Sequence, residues 1–205
     1  MFFKRSKKKK TMVVGLDGVP HSMVGRFIEQ GIFPNIGRVA KNACLKRMEV
    51  CIPEISSVSW PTFMTGANPA AHGIFGFMDL KPGTYKMFFP SYRDLKAQTI
   101  WEKLAEKRKR SVVINQPGTY PAAARPVEGA LVSGFVAIDM RKAISPLKHR
   151  ETLEGLGYRI DVDTGRCRED HDYLFQDLDE TLKGRQAGVD YFWKNEDWDF
   201  MEVVV

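Results

Sequence analysis

Short apolar runs alternate with amphipathic stretches along this chain, and the alternation predicts its elements. Residues 11–16 (TMVVGL) form a β-branched apolar run that reads as a buried strand. Helical spacing follows over residues 22–30, with a second short helix over 35–41. Residues 45–52 predict another strand. Pro61 is tolerated in a helix's first turn, so a helix is expected to begin at residues 59–61 and run to Thr65. Residues 79–95 read as loop, with Pro82-Gly83 and the aromatics Tyr85, Phe88, Phe89 and Tyr92. A helix over 98–109 places Ile100, Trp101, Leu104 and Ala105 on one face, and a strand over 111–115 comes next. Residues 116–170 are rich in Gly and Pro and read as irregular, offering a cap or insertion over a site. A helix over 173–194 shows Leu174, Leu178 and Leu182 at four-residue steps and leads into an apolar run, 198–205 (WDFMEVVV). Strands alternating with helices imply an α/β fold with a mostly parallel sheet.

Composition changes this picture little: 43% hydrophobic and 27% charged residues suit an ordinary globular fold. Charge changes it more. Lys4, Arg5 and residues 7–10 carry as much positive charge as the whole net of +6, with no acid among the first ten residues. The basic balance therefore describes a solvated tail over residues 1–10, and residues 11–205 are formally neutral. That argues against a specific nucleic-acid groove. The apolar run after the tail is too short for a signal-peptide core or a transmembrane helix, so a cytoplasmic location is expected. The three cysteines, Cys44, Cys51 and Cys167, lack paired metal spacing and fit reduced thiols, with core filling expected of Cys44 and Cys51.

Chemistry concentrates in two places. Asp17 follows the first strand, and ligands gather beyond the carboxyl ends of strands in open α/β sheets. Its carboxylate suits Zn²⁺, Mn²⁺ or Mg²⁺; the alternative is a turn cap before the helix. Farther on, Ser56, Ser57 and Ser59 stand at the start of the next helix, whose positive end favours an alkoxide or a bound phosphate. Serine needs a base or a metal to act as a nucleophile. Each of the three is a candidate, and a helix cap is the alternative for each. Ser57 is a candidate substrate contact. The loop 115–121 follows a strand's carboxyl end and makes Tyr120 a candidate wall of a leaving-group pocket. Among the four histidines, His21 reads as a helix-start residue, His149 as exposed, and Asp170-His171 as a loop or helix cap.

Residues 53–77, PEISSVSWPTFMTGANPAAHGIFGF, taken with Gly15-Leu16-Asp17-Gly18, resemble the type I phosphodiesterase/nucleotide pyrophosphatase family of the alkaline phosphatase superfamily. The stretch VVINQPGTYP (112–121), the turn Ser133-Gly134-Phe135 and Gly157-Tyr158 extend the likeness. The resemblance selects Ser56 as nucleophile, through the pattern Pro53, Ser56, Trp60. It makes Asp17 a metal ligand, gives His72 the task of ordering the loop beside the nucleophile helix, and implies an alkaline-phosphatase-like sheet. It implies two divalent ions, Zn²⁺ or Mn²⁺, and a small-molecule phosphate ester as substrate, cleaved through a covalent phospho-enzyme. Where the nucleotide pyrophosphatase branch carries a phosphate-binding Asn, this chain has Phe77.

The resemblance also implies metal ligands beyond this sequence, in an Asp-x-x-x-His motif, an Asp-His pair and a further His. The chain stops inside the apolar run 198–205, so the fold is expected to be incomplete at its C-terminus, as the amino-terminal part of a longer enzyme or a truncated reading frame. Two other classes stay open: a catalytically incomplete fragment, and a phospho- or sulfo-group transferase on the same fold.

Overall fold

The computed structural model describes residues 9–205. The expected basic tail therefore lies outside the described residues, apart from Lys9 and Lys10; Lys10 Nζ stands 4.2 Å from the ring centroid of Trp198. The chain divides into two compact units, Leu16–Val50 and the residues before and after it.

The smaller unit holds α1 (His21–Glu29) and α2 (Pro34–Ala40), with Pro34 in the first turn where its missing N–H costs nothing. Phe27 and Phe33 meet edge to face at 5.2 Å, and Gly37 leaves room for Ile28. The strand expected over 45–52 does not form: the segment is irregular and mostly exposed, and Met48 is 84% accessible. Alternation of apolar and charged residues mimics a strand there, but no neighbouring strand pairs with it.

The larger unit begins with β1 (Thr11–Gly15) and resumes with α3 (Ser56–Thr65), α4 (Pro69–His72), β2 (Asp79–Leu80), β3 (Met87–Phe88), α5 (Ile100–Glu106) and β4 (Ser111–Gln116). It continues through β5 (Gly129–Ser133), α6 (Met140–Ala143), β6 (Ile144–Ser145), α7 (Arg150–Gly155), α8 (Thr164–Glu169), α9 (His171–Asn195) and β7 (Phe200–Val204). Among the described residues, five strands form one sheet in the order β1-β7-β4-β5-β6, parallel except for β6. β2 and β3 make a separate antiparallel pair inside the stretch expected to be loop.

Two expectations are corrected by this topology. β1 is an edge strand of the described sheet and half exposed, because only β7 pairs with it. Residues 116–170 are not irregular throughout: β5 lies in the central sheet, hydrogen-bonded to β4 along its length. The apolar run 198–205 forms β7, which is fully buried between β1 and β4, with Thr11 and Ser111 both opposite Phe200.

Two apolar clusters sandwich the sheet. Val112, Ile114, Val132, Met201 and Val203 meet Leu153, Tyr158, Phe192 and Trp198 on one face. Val113 and Leu131 meet Met64, Ile74, Tyr92, Leu95 and Trp101 on the other. A capping box at Thr99 and Glu102 starts α5, and Arg125 binds Glu102 Oε2 at 2.9 Å. Trp101 Nε1 donates to Tyr92 Oη at 2.9 Å, so the aromatic stretch 85–92 packs at Tyr92, while Tyr85 is fully exposed.

The apolar stripe expected on α9 is also corrected. Leu178 and Leu182 face outward, and the buried face is Asp177, Thr181, Gly184, Gly188 and Phe192. A Cβ at Gly184 would lie 2.1 Å from the carbonyl oxygen of Gly157, so the helix approaches the backbone too closely for a larger residue. Asp177 accepts from the Asp163 amide at 2.7 Å and pairs with Arg159, fastening the α8 segment to α9. Among the described residues no helix is long and apolar enough to cross a membrane. Cys44 is exposed and Cys51 half-buried, so neither fills a core; only Cys167 is buried.

Candidate functional site

The helix α3 organises the site. It starts at Ser56, earlier than Pro61 alone suggests, so Ser56 and Ser57 occupy its first turn and Pro61 lies inside it. Proline there removes one intrahelical hydrogen bond, the one that would run to the Ser57 carbonyl. Ile55 at the N-cap brings no side-chain oxygen to the first-turn amides, leaving the positive end of the helix open to an anionic group. Gly66, in the left-handed region (φ 64°), ends α3, and Gly73 (φ 78°) ends α4, the reason for glycine after Thr65 and after His72.

Two further contacts hold α3 in place. Trp60 lies over Gly15 so closely that a Cβ there would sit 2.4 Å from the indole ring, which ties the end of β1 to the helix. His72 is buried; the Ile74 amide donates to its Nδ1 at 3.2 Å, so Nε2 carries the proton and donates to Thr62 Oγ1 at 3.0 Å. Thr62 Oγ1 in turn donates to the Val58 carbonyl at 2.9 Å. Burial lowers the His72 pKa, keeping the ring neutral. His72 thus orders the loop against α3.

Beside Ser56 and Ser57 opens a cavity of about 140 Å³. Its walls come from α3 (Pro61), from the segment after α4 (Ile74, Phe77), from Phe89, and from two loops at the carboxyl ends of β4 and β5: Pro117-Gly118 and Phe135-Val136. Phe77 and Phe135 meet edge to face, with ring centroids 5.9 Å apart. Ser57 lines the cavity, while its Oγ is buried without a hydrogen-bond partner among the described residues. The loop 115–121 reaches the cavity through Pro117 and Gly118, whereas Tyr120 stands outside its lining; the Tyr120 carbonyl accepts the Tyr92 amide at 2.9 Å.

Asp17 lies in an exposed turn two residues past β1, in the smaller unit. Its carboxylate suits a divalent ion, but among the described residues no cluster of three or more His, Cys, Asp or Glu forms. The donor set of a four-coordinate zinc site is therefore not complete in them. His21 opens α1, and Asp170 caps α9 by accepting the Tyr173 amide at 2.9 Å, as the sequence suggests for both. His149 departs from expectation: it is buried against Tyr191 and Phe192, its Nδ1 3.0 Å from Tyr191 Oη. Burial lowers its pKa, against the opposing pull of Glu196.

Sequence reasoning misses Glu202 altogether. It lies mid-way along β7, and both carboxylate oxygens are buried without a hydrogen-bond partner among the described residues. Desolvation raises its pKa to about 7. The only signal in the sequence is one acid inside an otherwise apolar run.

Comparison with known proteins gives one family and one fold. The profile of the family described as "Type I phosphodiesterase / nucleotide pyrophosphatase" matches residues 11–204. No curated protein matches the chain. Solved structures of phosphonoacetate hydrolase from Sinorhizobium meliloti 1021 are similar in fold. The complex with phosphonoacetate gives a TM-score of 0.63 and that with phosphonoformate 0.66, each at 18% identity over 96% of this chain and 46% of that one. The chain thus spans about half the length of these solved structures.

Proposed function

Because the chain belongs to the type I phosphodiesterase/nucleotide pyrophosphatase family, we propose that it carries the nucleophile-bearing part of a phosphate-ester hydrolase. Ser56 is the nucleophile and Asp17 a metal ligand. The observation that carries this reading is the position of Ser56: first residue of α3, at an N-terminus without a side-chain cap, on the wall of a cavity.

The chain's own groups have definite tasks. The first-turn amides of α3 hold the phosphoryl oxygens and favour their negative charge. His72 and Trp60 fix the helix, so Ser56 Oγ meets phosphorus in line with the leaving oxygen. The Oγ–P bond forms as the P–O bond to the leaving group breaks; a proton reaches the departing alcohol, and water later cleaves the phosphoserine ester. A divalent ion, when bound, would supply a lowered serine pKa and charge neutralisation at phosphorus. Ser57 stands beside the nucleophile as a substrate contact. Transfer of the phosphoryl group to an alcohol instead of water is the second reading, supported by the apolar cavity, which would shelter such an intermediate from water.

The test is Ser56→Ala and Asp17→Asn in the full chain with Zn²⁺ or Mn²⁺ supplied. Loss of phosphate-ester hydrolysis in both, with a phosphoserine trapped at Ser56 in the parent, is expected. Retained hydrolysis in Ser56→Ala overturns the covalent route. An alkyl phosphate formed when an alcohol is added would favour transfer.

A further inference from the structure

Of the fourteen residues that line the cavity beside Ser56, none is charged and none is histidine. The polar groups are the hydroxyls of Ser56, Ser57 and Ser91 and the local backbone; the remainder is proline, glycine, aromatic and aliphatic surface. A charged group entering this space would lose its hydration without gaining a partner, at a cost of several kcal/mol. An uncharged apolar group gains free energy there, roughly 25 cal/mol for each Å² removed from water.

Size narrows the occupant further. A cavity of about 140 Å³ is close to the roughly 150 Å³ apolar cavity that accommodates one benzene molecule. One six-membered ring fits that volume. Geometry points the same way. Phe77 and Phe135 stand 82° to one another, half-exposed at the mouth, so an incoming ring meets one aromatic face and one aromatic edge. Ser57 follows Ser56 along the lining, its Oγ without a hydrogen-bond partner among the described residues.

We propose that this cavity is the leaving-group subsite of the chain and takes a single uncharged aryl group, making aryl phosphate esters its substrate class. The assignment rests on Ser56 being the nucleophile. Ring and phosphoryl group then occupy adjacent places: the ring lies against Phe77, Phe135 and Ile74, the ester oxygen lies on the Ser57 side of the cavity, and phosphorus lies over the start of α3. On attack, the Ser56 Oγ–P bond forms as the P–O(aryl) bond breaks, and the proton lost by the Ser56 hydroxyl ends on the aryl oxygen, so a neutral phenol leaves into the apolar pocket.

The experiment uses probes that cannot be hydrolysed. Phenylphosphonate, methylphosphonate and phenol are titrated against the full chain by saturation-transfer NMR, then against Phe77→Asp and the cavity-filling Val136→Trp. Both substituted side chains are half-exposed, so the fold tolerates the changes. Phenylphosphonate is expected to bind about tenfold or more tightly than methylphosphonate, which corresponds to about 1.4 kcal/mol. Phenol is expected to bind the parent and to lose that binding in both variants. Equal affinity for the two phosphonates, or phenol binding unchanged in both variants, overturns the subsite. Turnover separates the two ideas: phenyl and methyl phosphate hydrolysed with equal kcat/KM removes the subsite and leaves the hydrolase. Ring binding as expected, with no hydrolysis of either ester, leaves a ring-binding cavity but removes the hydrolase and, with it, the leaving-group role.

Discussion

A Cβ on Gly134 would stand 2.1 Å from the carbonyl oxygen of Asn115, closer than any side chain tolerates. The contact joins the ends of β4 and β5, where the Gly134 amide donates to the Gln116 carbonyl at 2.9 Å. Asn115 itself takes a positive φ (60°) and donates from Nδ2 to the Val204 carbonyl at 3.0 Å. The two loops that wall the cavity start from this junction. Gly134→Ala should cost about 2 kcal/mol or more, because backbone rather than a flexible side chain must move. Gly155→Ala, with open space around it, should change stability by less than about 1 kcal/mol. Urea midpoints of the two variants check this.

Glu202 should make stability fall as pH rises. Its carboxyl has a folded-state pKa of about 7 against an ordinary 4.5, so the folded chain holds the proton more tightly. The penalty is absent below about pH 4.5, grows between 4.5 and 7, and is complete above 7. The shift corresponds to about 3 kcal/mol. His149, its pKa lowered by burial, acts with opposite sign, losing stability as pH falls through 6.5. The contribution of Glu202 is therefore read as a difference: Glu202→Gln should stabilise the chain at pH 8 and leave it unchanged at pH 4. An identical pH profile for the variant would contradict the assignment.

Thr62→Val should cost about 1–2 kcal/mol, since it leaves the buried Nε2–H of His72 without an acceptor. Thr62→Ser keeps the oxygen and should cost less. Nitrogen-15 shifts of His72 should report a neutral, Nε2-protonated ring at pH 6, where an ordinary histidine is largely charged.

Asp177→Ala should loosen the α8 segment ahead of the whole fold. Asp177 is buried and holds Arg159 and the Asp163 amide, whose own carboxylate caps α8 at the Gly165 and Arg166 amides. A global loss of about 2–3 kcal/mol is expected, with faster hydrogen exchange in Thr164–Glu169 than in β4.

The parts of the fold legible in the sequence are those that local chemistry decides. Thr65-Gly66 ends α3 where expected, although its start at Ser56 comes earlier than residues 59–61, α4 goes unread, and α5 and α9 form close to their expected ranges, with Asp170 capping α9. The cavity's Phe77 and Phe135 lie within motifs that the sequence singles out. What stays hidden depends on partners distant in sequence. His149 lies in the charged run KHRE, yet is buried because Tyr191 and Phe192 pack on it. The inner face of α9 is glycine and threonine because it approaches the backbone at Gly157, while the leucines that periodicity puts inside are outside. Residues 45–52 show a strand's alternation, but a strand needs a neighbour, and periodicity says nothing of that.

The place of β7 has a consequence for how the protein is made. Thr11, near the start of the described chain, pairs with Phe200, near its end. While the ribosome is still translating, β1 has emerged and β4 has one edge open, and both must wait for the strand that joins them. Closing so long a loop is slow, and in that interval the nascent chain exposes two unsatisfied sheet edges. It then offers other nascent chains the same template that β7 will fill, so among the described strands the step most exposed to aggregation is the arrival of β7.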